Sequence, residues 1–357
     1  MAVKGFGTND ASTVKVWSKA VDREVLPKTL MGRFMGEGSS NIIQVKNELA
    51  KNAGDRIRMN LHYLLSGDGV TGNEVLEGNE VTWSEATDNI VIDQQRQGVR
   101  VYGNIDDQRT VYDMRGTGRD QLSDWWADRI DRVCLNHLCG NAAETRSAYN
   151  GFNTITSPTA NKVIYAGSAN SAATLTSADV FSYAVVDKAL LRAKLLHETY
   201  GEPVMRPLRI AGGTYYVMIL SPEQVDDLQT DTSTMSWSDI QKAAMQGGEV
   251  SGNPIFTGAL GVYKGVIFFE SERIPLAQDS GTPVANTKSA PLLGAQAAWM
   301  AYGRSEYGRP EKMKWVEETF DFQNEHGIAC GMIWGVKKAV FNSVDHAVIV
   351  VNTYAAE

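Results

Sequence analysis

The residues best placed to do chemistry are Cys134, His137 and Cys139. The first two lie three apart and could offer a thiolate and an imidazole to a metal from one helix face. A zinc site needs about four ligands, and the only other cysteine, Cys330, is remote in sequence. Packed thiols on an amphipathic helix are therefore the favoured reading. The five histidines, His62, His137, His197, His326 and His346, form no paired protease motif, because His326 follows Asn324 and Glu325 with no second histidine four residues away. Gly258 to Gly265 carries glycines and Lys264 but lacks the Gly-Lys-Ser/Thr ending that cradles phosphate and holds magnesium, so it reads as a turn. Neighbouring carboxylates such as Asp106-Asp107, Asp226-Asp227 and Glu317-Glu318 read as solvated surface rather than as acid/base pairs. No Gly-x-Ser-x-Gly elbow occurs. The expectation is a protein that is not an enzyme, with no catalytic, metal or cofactor-binding residues.

Charge distribution is more informative than the catalytic residue types. From Asn52 through Asn161 there is no lysine, while arginines recur at 56, 58, 96, 100, 109, 115, 119, 129, 132 and 146. The planar guanidinium fork pairs bidentately with carboxylates and is enriched at protein interfaces, where lysine is depleted. The stretch ahead of the long helix thus looks built to touch another chain; the alternative is a merely soluble loop with scattered arginines. The whole chain of 357 residues has a formal net charge of −8, which argues against coating a polyanion. No apolar run approaches the roughly 18 residues of a membrane span. The N-terminus does not read as a secretion signal, and an odd count of three cysteines points to reduced thiols.

The elements that must carry these groups can be read from spacing. Ser12 to Leu26 reads as a helix, with Val14, Trp17, Val21 and Val25 on one side and Pro27 as its stop, inside a sparse segment that needs something else to pack on. Residues 55–104 read as an extended two-stranded excursion around a glycine-punctuated centre, its second run being Asn89 to Gln94 with Gly98 to Tyr102. The strongest helix is Arg119 to Cys139, striped by Leu122, Trp125, Trp126, Ile130, Val133 and Leu138 and stopped by Gly140. A further helix is expected over Ser177 to Tyr200, and another opens at Ser221-Pro222. Tyr215 to Leu220 and Gly265 to Glu270 suit buried strands, 276–291 suits an exposed loop, and Lys314 to Phe341 and Ala347 to Tyr354 have strand composition. The fold class is α+β, with one long discontinuous domain.

Three segments together resemble a known family. They are Asn253 to Gly265 running into Phe269 to Pro275, then Gly327 to Lys338, and Gly67-Asp68-Gly69-Val70 with Gly78-Asn79-Glu80-Val81. They are similar to major capsid proteins of tailed bacteriophages, in the branch typified by coliphage N-four, with the Hong Kong 97-type fold. The first segment is the most specific, and the resemblance covers most of the chain from about residue 55.

That resemblance implies an N-terminal arm (1–54), an extended β-hairpin loop (55–104), a peripheral domain crossed by a long spine helix (105–171), an axial domain (172–275), and a loop with a return to the peripheral domain (276–357). It implies hexamers and pentamers of identical subunits that form an icosahedral head around double-stranded DNA. Partners implied are portal, scaffolding and possible cement proteins, with only weak contact to packaged DNA and no membrane. The place of action is the virion, after assembly in the host cytoplasm. A cellular nanocompartment shell of the same fold is the alternative. Candidate interface residues are Arg96, Arg100, Arg109 and Arg115, with Trp83 as an apolar anchor, because aromatic and arginine anchors dominate interface energies. Trp125 and Trp126 are expected to pack the spine helix instead. Some relatives weld subunits by a Lys–Asn isopeptide bond from the extended loop; this loop has no lysine, so that crosslink is expected to be absent.

Overall fold

The computed structural model describes residues 25, 28–50, 54–62, 69–81, 85–101, 103, 108–109, 114–210, 212–231, 260–304 and 312–356. Most of the expected helix over Ser12 to Leu26 and most of the segment Asn253 to Gly265 lie outside the described residues. In chain order the elements begin with strands β1 (Met35–Gly36), β2 (Ile43–Lys46), β3 (Arg56–His62), β4 (Glu85–Val91) and β5 (Asp93–Val101), followed by helix α1 (Met114–Cys139). Next come β6 (Val163–Tyr165), α2 (Tyr183–Tyr200), β7 (Leu208–Ile210), β8 (Gly213–Leu220), α3 (Pro222–Thr230), β9 (Gly261–Tyr263) and β10 (Val266–Glu270). The remainder is β11 (Gln278–Asp279), β12 (Thr282–Pro283), β13 (Thr287–Leu293), β14 (Ala298–Tyr302), β15 (Met313–Phe320), β16 (Glu325–Lys338), β17 (Val340–Phe341), β18 (Val344–Asp345) and β19 (Val348–Tyr354).

Two sheets organise these elements. A six-stranded sheet runs β1-β2-β14-β16-β15, with β5 also paired to β16, and a seven-stranded sheet runs β6-β19-β13-β8-β10-β9, with β7 on β8. Helix α1 has 26 residues and spans about 39 Å at ~1.5 Å per residue. It buries Leu122, Trp126, Ile130, Val133 and Leu138, and it packs mainly against β16. Trp126 meets Trp334 of β16 edge to face at 6.3 Å, and Trp125 meets Trp126 at 5.0 Å. The helix ends where Gly140 turns left-handed at φ 70°. Helix α2 buries Tyr183, Val186, Ala189, Leu190, Ala193 and Leu196 at helical spacing and packs toward β6 and β19.

Four expectations need correction. Helix α2 starts at Tyr183 rather than Ser177, because the Asp179 carboxylate accepts from the Thr176 N–H at 2.9 Å and hydroxyl at 2.8 Å, closing a turn that competes with the helix. Residues 276–291 are not simply an exposed loop: β11 and β12 form a small hairpin, and Thr287 begins a buried strand paired along its length with β19. Its polar side chains are satisfied inside, as in Ser289 Oγ to Asn352 Oδ1 at 2.7 Å. Pro291 fits because β8 pairs only with Leu292 and Leu293 on the other edge.

The third correction concerns the excursion. Strands β3 and β4 pair as expected, but β5 leaves them for β16 over His326 to Trp334. The β3–β4 pair also has a packed face, where Ile57, Met59, Ala86 and Ile90 cluster with Trp299, Ala301 and Phe341. The fourth concerns the N-terminal segment, whose Met31, Phe34, Ile42 and Ile43 join the main core, with β2 parallel to β14. The named residues of both parts are thus buried by their own chain.

Candidate inter-subunit surfaces

Strands β15, β16 and β5 present one face to α1 and the other to solvent. Alternation along β16 sends Ile328, Cys330, Met332 and Trp334 inward, and brings Gly327, Ala329 and Gly331 to the outer face. The register aligns Gly331 with Arg96 and Lys314, Ala329 with Gly98 and Val316, and Gly327 with Arg100 and Glu318. These small residues let long side chains lie on the sheet. A Cβ at Gly331 would stand 2.8 Å from Arg96 Cγ, and one at Gly327 would stand 2.6 Å from the Phe320 ring.

Arg96 and Arg100 are both exposed on this face. Arg100 is also engaged within the chain: it pairs with Glu325, and its guanidinium sits 4.4 Å from the Phe320 ring centroid. Arg109 is exposed in a helical stretch before α1, and Arg115 is in the first turn of α1. Trp83 lies outside the described residues. The structure therefore brings Arg96 and Arg100 together on one sheet face and sets Arg109 and Arg115 ahead of and at the start of α1.

Other arginines of the lysine-free stretch have partners in their own chain. Arg129 stacks 3.9 Å from the Tyr149 ring centroid and 4.6 Å from that of Trp125, and it donates to Ala148 O at 3.2 Å. Asp128 accepts from Arg273 Nε at 2.6 Å and lies 3.1 Å from Arg132 Nε. Burial pulls the Asp128 pKa up, but the hydrogen bond from Arg273 and the charge of Arg132 outweigh it and leave the carboxyl below its ordinary range. Arg146 clamps Glu144 and likewise holds that carboxyl low. Asp131, buried beside them, accepts from the Leu30 and Met31 N–H groups at 2.9 and 3.0 Å; burial nevertheless raises its pKa. It ties the N-terminal segment to α1.

The cysteine–histidine group is core packing. Cys134 and Cys139 are buried with thiol pKa values pushed up by desolvation, and Cys139 Sγ donates to Ser289 O at 3.3 Å. His137 Nε2 donates to Asn150 O at 2.8 Å, and burial lowers its pKa to about 4. The Lys264–Gly265 pair forms a left-handed two-residue hairpin turn between β9 and β10, as the turn reading expects.

Three exposed features carry apolar side chains to which the sequence reading gave no role. The tip of the β15–β16 hairpin holds Asp321, Phe322 and Gln323 all at positive φ, with Phe322 fully exposed. Helix α2 and β6 border a groove of about 420 Å³ that includes the exposed side chains Leu191, Leu195 and Tyr200. Residues 69–81 form an exposed excursion bearing Val75, Leu76 and Val81. The groove had a sequence signal: Leu191 and Leu195 widen the apolar stripe of α2 beyond the arc its core contacts use.

A six-stranded sheet braced by one long helix, a seven-stranded sheet and the exposed excursion 69–81 make up the framework of the described residues. Solved phage capsids show the same fold. The capsid of Ralstonia phage GP4 superposes with a TM-score of 0.81 at 30% identity, covering 100% of this chain and 99% of that one. The capsid of cyanophage Pam1 gives a TM-score of 0.71 at 20% identity, covering 93% of each chain. In sequence, the major capsid protein of Pseudomonas phage KPP25 is 30% identical over 366 residues, covering 94% of this chain and 91% of that protein. Residues 5–357 match the phage capsid protein family, and the chain belongs to it. It is a major capsid protein of the Hong Kong 97-type fold, a structural component that builds the virion shell from identical subunits.

Proposed function

We propose that the chain assembles as hexameric and pentameric capsomers into an icosahedral head around double-stranded DNA, and that this assembly is its whole activity, with no catalytic step. The observation that carries this reading is full-length similarity to capsid subunits, together with apolar residues held out in solvent on the 69–81 excursion. In this reading 1–54 is the arm, 55–104 the extended loop, 105–171 and 276–357 the peripheral domain, and 172–275 the axial domain. The pairing of β5 with β16 supports counting 93–101 with the peripheral domain as well. Arg96, Arg100, Arg109, Arg115 and Trp83 serve the contacts between subunits.

A net charge of −8 favours weak, salt-sensitive contact with packaged DNA. Portal and scaffolding proteins, with or without a cement protein, complete the head, and assembly takes place in the host cytoplasm. With no lysine in 55–104, the shell is held without loop isopeptide bonds. Sedimentation followed by negative-stain microscopy of the expressed chain, alone and with its virion's head proteins, tests the reading: capsomers or closed shells are expected, and a small discrete oligomer under all conditions sinks it. Boiling purified heads in detergent should release single chains; a covalent ladder would contradict the non-covalent shell.

A further inference from the structure

We propose that the tip of the 69–81 excursion seats in the α2–β6 groove of a second copy, with Val75 and Leu76 as its apolar plug and Glu77 facing the basic rim. The proposal rests on the reading of the chain as a shell subunit and names one contact of that shell. The tip is a built object. Turns close from Glu74 N to Thr71 O and from Asn79 N to Leu76 O, at 3.3 and 2.9 Å. Glu74 accepts from the Thr71 N–H at 3.2 Å, and Glu80 accepts from the Gly78 N–H at 2.8 Å. Asn79 Nδ2 donates to Val75 O at 2.8 Å. These bonds fix a backbone whose Val75 and Leu76 are nevertheless 66% and 57% exposed. Adjacent aliphatic side chains in water on an ordered turn are unfavourable in a lone molecule and suited to burial by another.

The groove is complementary in sign. Tyr165, Lys188, Leu191, Arg192, Leu195 and Tyr200 line it. Leu191 is 59% exposed. Lys188 and Arg192 anchor on the carbonyls of Gly167 and Asn161 at 3.2 and 3.1 Å, which holds two cations beside the apolar floor; exposed Lys194 stands on the same helix, whose acids are Glu198 and Asp187, the latter paired with Lys264 at 2.8 Å. The 69–81 segment holds Glu74, Glu77 and Glu80 and no Lys or Arg. An acidic apolar plug and a basic apolar groove on one chain make a head-to-tail contact, and head-to-tail contacts between identical copies close into rings when the rotation allows. Electrostatic complementarity also sets the register of such a contact.

The test uses particles of the full chain, assembled with the virion's other head proteins where these are needed. The three native cysteines are buried, so the engineered pair Leu76→Cys and Leu195→Cys reports cleanly. Mild oxidation of assembled particles should give a reducible ladder of linked chains on a denaturing gel, absent from either single variant. Particles that assemble normally and yield no ladder overturn the contact while leaving the shell reading intact. Failure of the unmodified chain to form any shell would instead count against that reading. If the cysteine pair itself blocks assembly, charge exchange decides. Glu77→Lys and Lys194→Glu should each lower particle yield several-fold, and the double variant should restore it. Additive losses, or full yield from both single variants, overturn the proposal.

Discussion

A Cβ on Gly335 would stand 2.1 Å from the Val91 carbonyl oxygen, so a glycine there is what allows the β4–β5 corner to cross β16. The neighbouring atoms are backbone and cannot swing aside. Gly335→Ala is therefore expected to destabilise the subunit by about 1–3 kcal/mol, the usual cost of overpacking, visible as a lower denaturant midpoint with an unchanged slope. Arg100 is the opposite case. Its ion pair with Glu325 and its stacking on Phe320 lie at an exposed sheet face, where such pairs contribute up to about 1 kcal/mol. Arg100→Ala should leave subunit stability within that margin and lower particle yield; an unaltered yield removes Arg100 from the interface set. The lysine-free stretch marked these arginines in the sequence, but not their partners. Arg129 finds Tyr149, and Arg273 reaches Asp128, through packing that spacing does not encode, whereas Arg132 meets Asp128 at the i,i+4 spacing of a helix.

At the scale of elements, α3 shows local sequence dictating local structure. Ser221 Oγ accepts from the Gln224 N–H at 3.4 Å, and Gln224 Oε1 accepts from the Ser221 N–H at 3.1 Å, a capping box with Pro222 at the first turn. Gln224 also donates to Thr353 Oγ1 of β19 at 2.8 Å, so the cap is tied to the seven-stranded sheet. Ser221→Ala should cost about 1 kcal/mol, read as a lowered thermal midpoint; an unchanged midpoint would mean that β19 alone holds the helix start. Helices and inner strands were legible because their signals are local: Gly140 and Pro222 mark ends, and Leu122, Trp126 and Ile130 mark a face. Burial of 287–293 was not legible. Thr287, Ser289 and Pro291 look like loop residues until β19 supplies their hydrogen bonds from far along the chain. The candidate surface was half legible for a related reason. Composition shows which residues suit an interface, whereas the alignment of Arg96 with Gly331 depends on a strand register set across more than two hundred residues.

For the molecule as a whole, two buried histidines couple stability to pH in the range between 4 and 6.5. His137 on α1 has a pKa lowered to about 4 by burial, with Lys338 and Lys337 adding to the shift against the opposing hydrogen bond to Asn150. His346, between β18 and β19, is lowered to about 4 by burial, with Arg206 and Lys162 adding to it. Both sites stay neutral in the folded chain, while the unfolded chain protonates near the ordinary imidazole value of 6.5. The unfolded state therefore binds more protons between those limits. Stability is full above about pH 6.5 and falls as pH drops toward 4, by on the order of 3 kcal/mol per histidine. Asp131 and Asp227, whose pKa values burial raises, act in the opposite sense near the carboxylate range and temper the loss at its acid end. His346 offers a clean control, because its ring stacks edge to face on Phe341 at 5.6 Å and its Nδ1 has no hydrogen-bond partner among the described residues. Thermal unfolding of the subunit should show a midpoint that falls steeply between pH 7 and 5, and His346→Phe should shallow that slope while preserving the contact with Phe341. A midpoint independent of pH across this range, or an equal slope in the variant, would mean that the buried imidazole of His346 does not set the acid sensitivity of the subunit.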